Sequence, residues 1–387
     1  MKNIALFTRT LSKGGAEKVL SNISLHLPNE YNTTIILYDS DRIDYSYRGK
    51  IVSLDSRPSK GLLSKILAFM CRTKEVKKIK NSRNIAVTIS FLDSPNIVNI
   101  FARCNDKIIV SVRNYKSRVN TGLLDTISTF LTKTFYNKAD KVVAVSELIK
   151  FNLIENFNIQ EEKIEVIYNP YDIDNIVKLS REPIGDQHKA IFEEPTLINV
   201  GRFNKQKGQK YLIQVFAELK KEIRDLQLVF LGEGELEDKL KYQARELGVE
   251  GDVHFLGFQN NPYKFIANSS LFVFPSLHEG FPNALVEAMA CGTPVISSDC
   301  KSGPREILAP GTDIRKQTKV VERAKYGVLM PTFTEESNNY TSAHLWKNEI
   351  KSILLDSELH LKYSTLGRER VEDFSAAKVI EKWIALI

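Results

Sequence analysis

Residues 274–299 read FPSLHEGFPNALVEAMACGTPVISSD, and this stretch decides the fold. An apolar run over 271–274 closes at Pro275 and reads as a buried strand. The loop that follows holds Glu279, Gly280, Phe281 and Pro282, and the spacing predicts a helix from Asn283. Glu279 and Glu287 stand eight residues apart, which puts Glu287 just over one turn into that helix. A loop carboxylate and a helix carboxylate then reach two parts of one ligand. Each carboxylate oxygen accepts hydrogen bonds, which suits paired hydroxyls. The N–H groups of Asn283, Ala284 and Leu285 open the helix, where backbone donors lack intrahelical partners and attract an anion. A nucleotide sugar carries both the hydroxyls and the phosphate that such a site asks for.

Around this stretch, short apolar runs alternate with helical patterns along the whole chain, as in parallel sheets covered by helices. Expected strands in the first half are 4–8, 34–38, 51–54, 86–91, 108–112, 142–145 and 164–167. In the second half they are 197–200, 228–231, 253–256, 271–274 and 295–297. The first helix shows the pattern: after Gly14 and Gly15, the apolar Ala16, Val19, Leu20, Ile23 and Leu27 share one face. At 387 residues the chain exceeds what one core usually serves. The expected fold class is α/β, with two Rossmann-like domains whose parallel sheets face an interdomain cleft. The first domain is expected over 1–172 and the second over 195–373. A linker over 173–194, marked by Pro183 and Gly185, joins them. Segment 374–387 reads as an amphipathic helix carrying Trp383 that packs back on the first domain.

Two further loops carry chemistry. Gly14 and Gly15 join strand 4–8 to the first helix, where glycine lets backbone approach a ligand and the helix start attracts phosphate. The pattern is neither G-x-G-x-x-G nor a P-loop, and alone it equally describes an ordinary turn. After strand 197–200, Arg202 offers a planar fork and Lys207 a compact charge, a pairing suited to a diphosphate. Alone, that loop also reads as a basic surface.

Taken together, these pieces resemble the retaining GT-B glycosyltransferases of family 4. Gly14-Gly15-Ala16-Glu17, Gly201-Arg202 with Lys207-Gly208, Gly232-Glu233-Gly234, Phe255-Leu256-Gly257 and the Glu279/Glu287 pair stand in family order. The resemblance covers nearly the whole chain. It implies that Arg202 and Lys207 hold the donor diphosphate and stabilise the leaving group without a metal. Gly14 and Gly15 would approach the same phosphates. Glu279 would contact the transferred sugar, Glu287 the ribose, and backbone near Gly257 and Phe258 the base. Gly280, Phe281, Asn283, Ala284 and Leu285 would complete the donor site. The implied reaction is retaining, by front-face displacement, with the nucleotide sugar as substrate and no cofactor. Many relatives place a histidine where this chain has Arg113. An always-charged guanidinium is no general base, although it still donates hydrogen bonds. The segment Ile89-Ser90-Phe91-Leu92-Asp93 looks like enzymes that extend lipid-linked O-antigen, capsule or N-glycan precursors, several of them using UDP-sugars.

The formal net charge is +7, and it is unevenly spread. Residues 1–180 hold 27 Lys+Arg against 18 Asp+Glu, a net of +9, and residues 181–387 hold 27 against 29, a net of −2. The first half therefore faces something anionic or simply carries a solvated basic surface. The densest run, residues 57–83 from Arg57 to Arg83, has nine basic residues against Glu75 alone. Leu62, Leu63, Ile66, Leu67, Phe69 and Met70 lie among them. Such a segment suits an anionic membrane surface, and it equally suits a helix packed on its own sheet with its lysines in water. No helix-turn-helix, RNP or zinc signature is present, so nucleic acid is not an expected partner. The four cysteines form no C-x-x-C pair, which fits a reducing compartment and no metal site. The opening run Ile4-Ala5-Leu6-Phe7 is too short for a signal-peptide core. The expected place is cytoplasmic, peripheral on the inner membrane. His278, beside Glu279, is either near the site or a loop-packing residue. Rival readings are a nucleotide-sugar epimerase or phosphorylase, which lack an NAD fingerprint or a pyridoxal lysine here, and a non-catalytic partner in glycan assembly.

Overall fold

The computed structural model describes residues 1–56, 61–117, 123–334 and 339–387. Arg57 and Lys60 of the basic segment, and the side chain of Leu62, lie outside the described residues. The chain divides into two compact units, Met1–Tyr171 with Phe374–Ile387, and Asp172–Asp373.

The first unit begins with β1 Lys2–Thr8, α1 Gly15–His26, β2 Tyr31–Leu37, β3 Lys50–Ser53 and α2 Leu62–Ser82. It continues with β4 Val87–Phe91, α3 Asp93–Phe101, β5 Lys107–Val112, α4 Leu123–Phe135, β6 Lys141–Ala144, α5 Glu147–Phe157 and β7 Ile164–Val166. The strands pair in parallel in the order β3-β2-β1-β4-β5-β6-β7. In β1, Ile4 through Phe7 are all fully buried because both faces of the sheet are covered. Ile4 and Leu6 join the cluster with Val19, Leu20 and Ile23 of α1, while Ala5 and Phe7 join Val76 of α2 and Val98 of α3. Side chains alternate across a strand, so a buried central strand reads as an unbroken apolar run. Truncating one such residue, Phe7→Ala, removes a large filler and costs about 3–5 kcal/mol.

The second unit opens with α6 Ile173–Ser180 and α7 Asp186–Phe192, then β8 Thr196–Val200, α8 Gln209–Lys220, β9 Gln227–Leu231, α9 Glu237–Glu246 and β10 Val253–Phe255. Next come α10 Tyr263–Ala267, β11 Leu271–Phe274, α11 Asn283–Cys291, β12 Val295–Ser298 and α12 Pro304–Leu308. It ends with β13 Glu322–Ala324, β14 Gly327–Met330, α13 Asn339–Leu355 and α14 Ser357–Val371. Its sheet order is β10-β9-β8-β11-β12-β14-β13, parallel except for the β13–β14 pair. The chain then returns to the first unit as α15 Ala376–Leu386, where Trp383 is fully buried with its ring 6.0 Å from that of Phe91.

Two expectations change. Segment 173–194 is not a linker: Asp172 caps α6 by accepting from Asn175 N–H, and Ile176 and Ser180 are buried as α6 packs on α10 and α11. Its polar composition belongs to the outer face of helices within the second unit. The pair β13–β14 is additional to the expected strands. β13 is Glu-Arg-Ala, with no apolar pattern, and it is held at the edge by ion pairs of Glu322 with Arg305 and Arg323 with Glu349.

In both sheets the strand order reverses beside the first strand, between β1 and β4 and between β8 and β11. Loops leaving the carboxyl ends diverge at such a switch point and open a crevice for a ligand.

Candidate functional site

The two loops that the sequence singles out in the second half leave β8 and β11, the strands flanking its switch point. After β8 the chain makes a short turn over Lys205–Lys207, with the Asn204 side chain accepting from Lys207 N–H at 3.2 Å. Gly208 then adopts φ +70, and a Cβ there would collide with the Pro275 carbonyl oxygen. Only glycine lets the two loops approach this closely. Gln206 completes the stitch: its carbonyl accepts from Leu277 N–H and its amide donates to the His278 carbonyl, both at 2.8 Å.

The same kind of stitching runs along the whole rim. Gly232 N–H donates to Gly257 O at 2.9 Å, joining the loops after β9 and β10. Phe203 N–H donates to Glu233 O at 2.9 Å, joining β8 to β9. Glu279 N–H donates to Lys301 O at 2.7 Å, joining β11 to β12. Five neighbouring strand ends thus present one continuous edge, with Gly257 and Phe258 towards one end and Glu279 towards the other.

On that edge Lys207 Nζ lies 2.8 Å from Glu279 Oε1, with side-chain exposures of 21% and 8%. The ammonium also sits 5.3 Å from the centroid of the Phe274 ring. Arg202 is exposed on the same loop. Gly280, Phe281 and Glu287 are buried, and Asn283 and Ala284 half-buried at the first turn of α11. The cap residue of α11 is Pro282, which makes no side-chain cap bond, and a helix start is a place that attracts anions. Leu285 turns its side chain fully into the core and offers the edge only backbone. His278 meets the rim through its carbonyl. Burial, with Glu279 beside it, pushes the Cys300 thiol far above its ordinary pKa, which makes it inert as a nucleophile. Among the described residues, no group of three or more His, Cys, Asp or Glu is placed to hold a metal ion.

In the first unit, Gly14 caps α1 in extended backbone and Gly15 is its first residue. Lys13 N–H donates to Asp44 Oδ2 at 2.9 Å, pinning this loop to the segment after β2. Arg113, just beyond β5, is buried. It donates to Asn169 Oδ1 and, at 3.4 Å, to Ser111 Oγ. Burial lowers its pKa to about 10, with Tyr171 and Glu17 opposing, so it stays a charged donor at neutral pH. Sequence reasoning missed the Lys207–Glu279 pairing and the Gln206 bridge, because their partners lie 72 residues away and no local pattern marks them.

The described part of the basic segment forms α2, Leu62–Ser82. Phe69, Val76 and Ile79 pack inward, and Lys80 belongs with them: its Nζ is 2.8 Å from Asp106 Oδ2 and both side chains are fully buried. The sequence reading counts Lys80 among the surface cations, and the structure removes it. The opposite stripe carries Leu63, Ile66, Leu67 and Met70, which are 79%, 47%, 62% and 60% exposed. Exposed Lys74, Lys77 and Lys78 continue the same helical spacing. Among the described residues no helix is long and apolar enough to cross a membrane.

Residues 13–175 match the model described as Glycosyltransferase Family 4, and residues 180–325 match Glycosyl transferases group 1. An uncharacterized glycosyltransferase of Methanocaldococcus jannaschii is 33% identical across 91% of this chain and 93% of its own. From Campylobacter jejuni, N-acetylgalactosamine-N,N'-diacetylbacillosaminyl-diphospho-undecaprenol 4-alpha-N-acetylgalactosaminyltransferase is 32% identical across 98% and 97%. The Anabaena protein HepE, solved in complex with UDP-glucose, superposes with a TM-score of 0.77 at 18% identity over all of both chains. With two parallel-sheet α/β units and full-length relatives of this kind, the chain belongs to the GT-B glycosyltransferases of family 4.

Proposed function

We propose that the protein transfers a hexose or N-acetylhexosamine from a UDP-linked donor to a lipid-linked glycan, with retention and without a metal ion, in the building of a bacterial surface polysaccharide. The observation that carries the reading is the stitched edge of the second unit. There a lysine–glutamate pair shares the edge with an exposed arginine and the start of α11. A diphosphate fits the cations and the helix start, and sugar hydroxyls fit the carboxylates. In this scheme the bond from the sugar's anomeric carbon to the phosphate oxygen breaks while the acceptor hydroxyl bonds to that carbon from the same face. The acceptor's proton passes to the departing phosphate. Arg202 and Lys207 stabilise the charge that develops, the kind of fixed electrostatic contribution that dominates many enzymes. Glu279 orients the sugar, and Glu287 binds the ribose. Gly257 and Phe258 meet the base, with Gly280, Phe281, Asn283, Ala284 and Leu285 completing the donor contacts. Gly14 and Gly15 keep a phosphate-contacting role on the first unit, and Arg113 serves as a donor rather than a base.

The name of the Campylobacter relative, with its diphospho-undecaprenol acceptor, and the UDP-glucose complex of the Anabaena protein support the acceptor and the nucleotide. The outward stripe of α2 supports a peripheral position on the cytoplasmic face of the inner membrane. The test is a donor panel of UDP-, GDP- and ADP-sugars read by thermal shift, followed by UDP release with an undecaprenyl-diphosphate glycan in EDTA. Stabilisation by UDP-sugars and turnover in chelator are expected. Preference for GDP- or ADP-sugars would overturn the donor assignment. Loss of turnover in EDTA, restored by Mg²⁺ or Mn²⁺, would overturn the metal-free mechanism.

A further inference from the structure

The proposed chemistry leaves unused a largely buried charge cluster at the ends of the loop that holds Glu279. β12 ends at Ser298, Asp299 follows it directly, and Arg305 is the second residue of α12. Between them runs the loop Cys300-Lys301-Ser302-Gly303-Pro304. This loop seats the segment that carries Glu279. Lys301 O accepts from Glu279 N–H at 2.7 Å, and Ser302 N–H donates to Glu279 O at 3.1 Å. Ser302 Oγ donates to Gly280 O at 2.7 Å. At Gly303, with φ +98, a Cβ would stand 2.6 Å from Pro282 Cδ. The glutamate's backbone is therefore located from both sides by a loop of the neighbouring strand.

The ends of that loop are fastened by one guanidinium. Arg305 donates from Nη2 to Asp299 Oδ2 at 2.5 Å and from Nε to both Asp299 oxygens at 3.2 Å. Its two terminal nitrogens also reach Glu322 on β13 at 2.9 Å each. The remaining contacts are the Lys316 carbonyl at 3.1 Å and Thr312 Oγ1 at 3.3 Å. Asp299 takes a further bond from Thr318 N–H at 2.6 Å. Asp299 and Arg305 are almost wholly inaccessible, whereas Glu322 is 23% exposed, so the paired Asp299 and Arg305 meet no substrate. Burying the Asp299–Arg305 pair is costly, and fixing geometry is a recognised return for such a cost.

We propose that Asp299, Arg305 and Glu322 form a positioning clamp that closes the loop 300–304 and thereby sets the placement of Glu279 against the transferred sugar. The inference rests on the donor-site reading of Glu279. If the clamp loosens, the glutamate's contact with the sugar drifts, while contacts to the nucleotide, made elsewhere on the edge, persist. Misplacement of about 1 Å at a reacting centre can cost roughly 10²-fold in rate. Arg305→Lys keeps a cation but loses the fork that holds two carboxylates at once.

The experiment measures turnover by UDP release from the donor chosen by the panel, together with calorimetric affinity for UDP alone. Arg305→Lys, Glu322→Gln and Ser302→Ala are each expected to lower kcat, Arg305→Lys most, with UDP affinity unchanged. In a double-mutant cycle, Arg305→Lys added to Glu279→Ala is expected to cost far less turnover than Arg305→Lys alone, since the clamp acts chiefly through that glutamate. An additive loss in the cycle, or UDP affinity falling in step with kcat, overturns the proposal and leaves a general stabilising role. Should Arg305→Lys fail to fold, Glu322→Gln and Ser302→Ala decide, and wild-type turnover in both overturns it. Wild-type protein with no affinity for UDP would instead refute the donor-site reading.

Discussion

Two lysine–carboxylate pairs, one in each unit, have the same length and opposite settings. In the first unit Lys80 Nζ and Asp106 Oδ2 are 2.8 Å apart with both side chains sealed from solvent. Thr88 Oγ1 donates to Asp106 and Lys80 donates to Asn99 Oδ1, each at 2.7 Å. In the second unit Lys207 and Glu279 are also 2.8 Å apart, but they stand on loops at the switch point, where Lys207 keeps 21% and Glu279 8% of its side chain accessible. The first pair is closed inside a network of neutral partners and ties α2 to the sheet. In the proposed reading, the second lies where an incoming diphosphate and sugar compete for each charge. The contrast extends to the switch points themselves. Beyond β4 and β5, Asp93 is held by Lys116 at 2.6 Å, and Arg113 by Asn169. One strand order thus fixes where a crevice forms in both units, and the side chains at the strand ends decide what it receives.

Breaking each pair should separate these roles. Lys80→Ala leaves Asp106 buried without its cation, a change that costs about 3–5 kcal/mol of stability. Denaturant unfolding should show it, with turnover per folded molecule unaltered. Lys207→Ala should lower the unfolding midpoint less than Lys80→Ala, because Lys207 is 21% accessible and Glu279 8%, whereas Lys80 and Asp106 are sealed. It should instead remove about 2–4 kcal/mol of transition-state stabilisation, roughly 10²–10³ in kcat, and Arg202→Ala should do likewise. If Lys207→Ala unfolds the protein while Lys80→Ala does not, the assignment of the two pairs is reversed. Near-normal turnover in both Lys207→Ala and Arg202→Ala would remove the phosphate site.

The fold was legible because parallel strands buried on both faces announce themselves as apolar runs, as Ile4–Phe7 and Leu271–Phe274 do. The edge strand β13 was not, since ion pairs rather than burial hold Glu-Arg-Ala in place. The helices at 173–194 were hidden by polar outer faces and by Pro183 and Gly185 between them, which punctuate two helices as readily as a linker. At the candidate site, the loops could be placed, because Arg202, Lys207 and Glu279 follow strand ends and Glu287 lies in the helix that comes next. Their mutual arrangement could not. Gln206, Ser302 and Arg305 act through partners on other loops, and contacts between distant segments leave no local periodicity. Lys80 shows the same limit: composition counts its charge, and only packing reveals that the charge is enclosed.

A third class of lysine, solvated and unlike either pair, yields the smallest effect per residue. Lys74, Lys77 and Lys78 lie on the α2 stripe that begins with Leu63, Ile66, Leu67 and Met70. The stripe is apolar over its first two turns and cationic beyond, so a bilayer would take the leucine end below its phosphates and leave the lysines among them. Near an anionic surface each lysine contributes about 1 kcal/mol. Reversing the three to glutamate, with Lys80 left in place, should abolish co-sedimentation with phosphatidylglycerol vesicles at low salt. Raising the ionic strength should weaken wild-type binding, because exposed charges are screened beyond about 8 Å under physiological conditions. Replacing Leu67 and Met70 with serine should weaken binding as well, and that loss should persist at high salt because burial of apolar area is not screened. Transfer to a short soluble acceptor should survive every one of these changes. If the lysine reversal leaves sedimentation intact, the stripe is a solvated face, and the first unit's positive surplus has no part in bringing the enzyme to its acceptor.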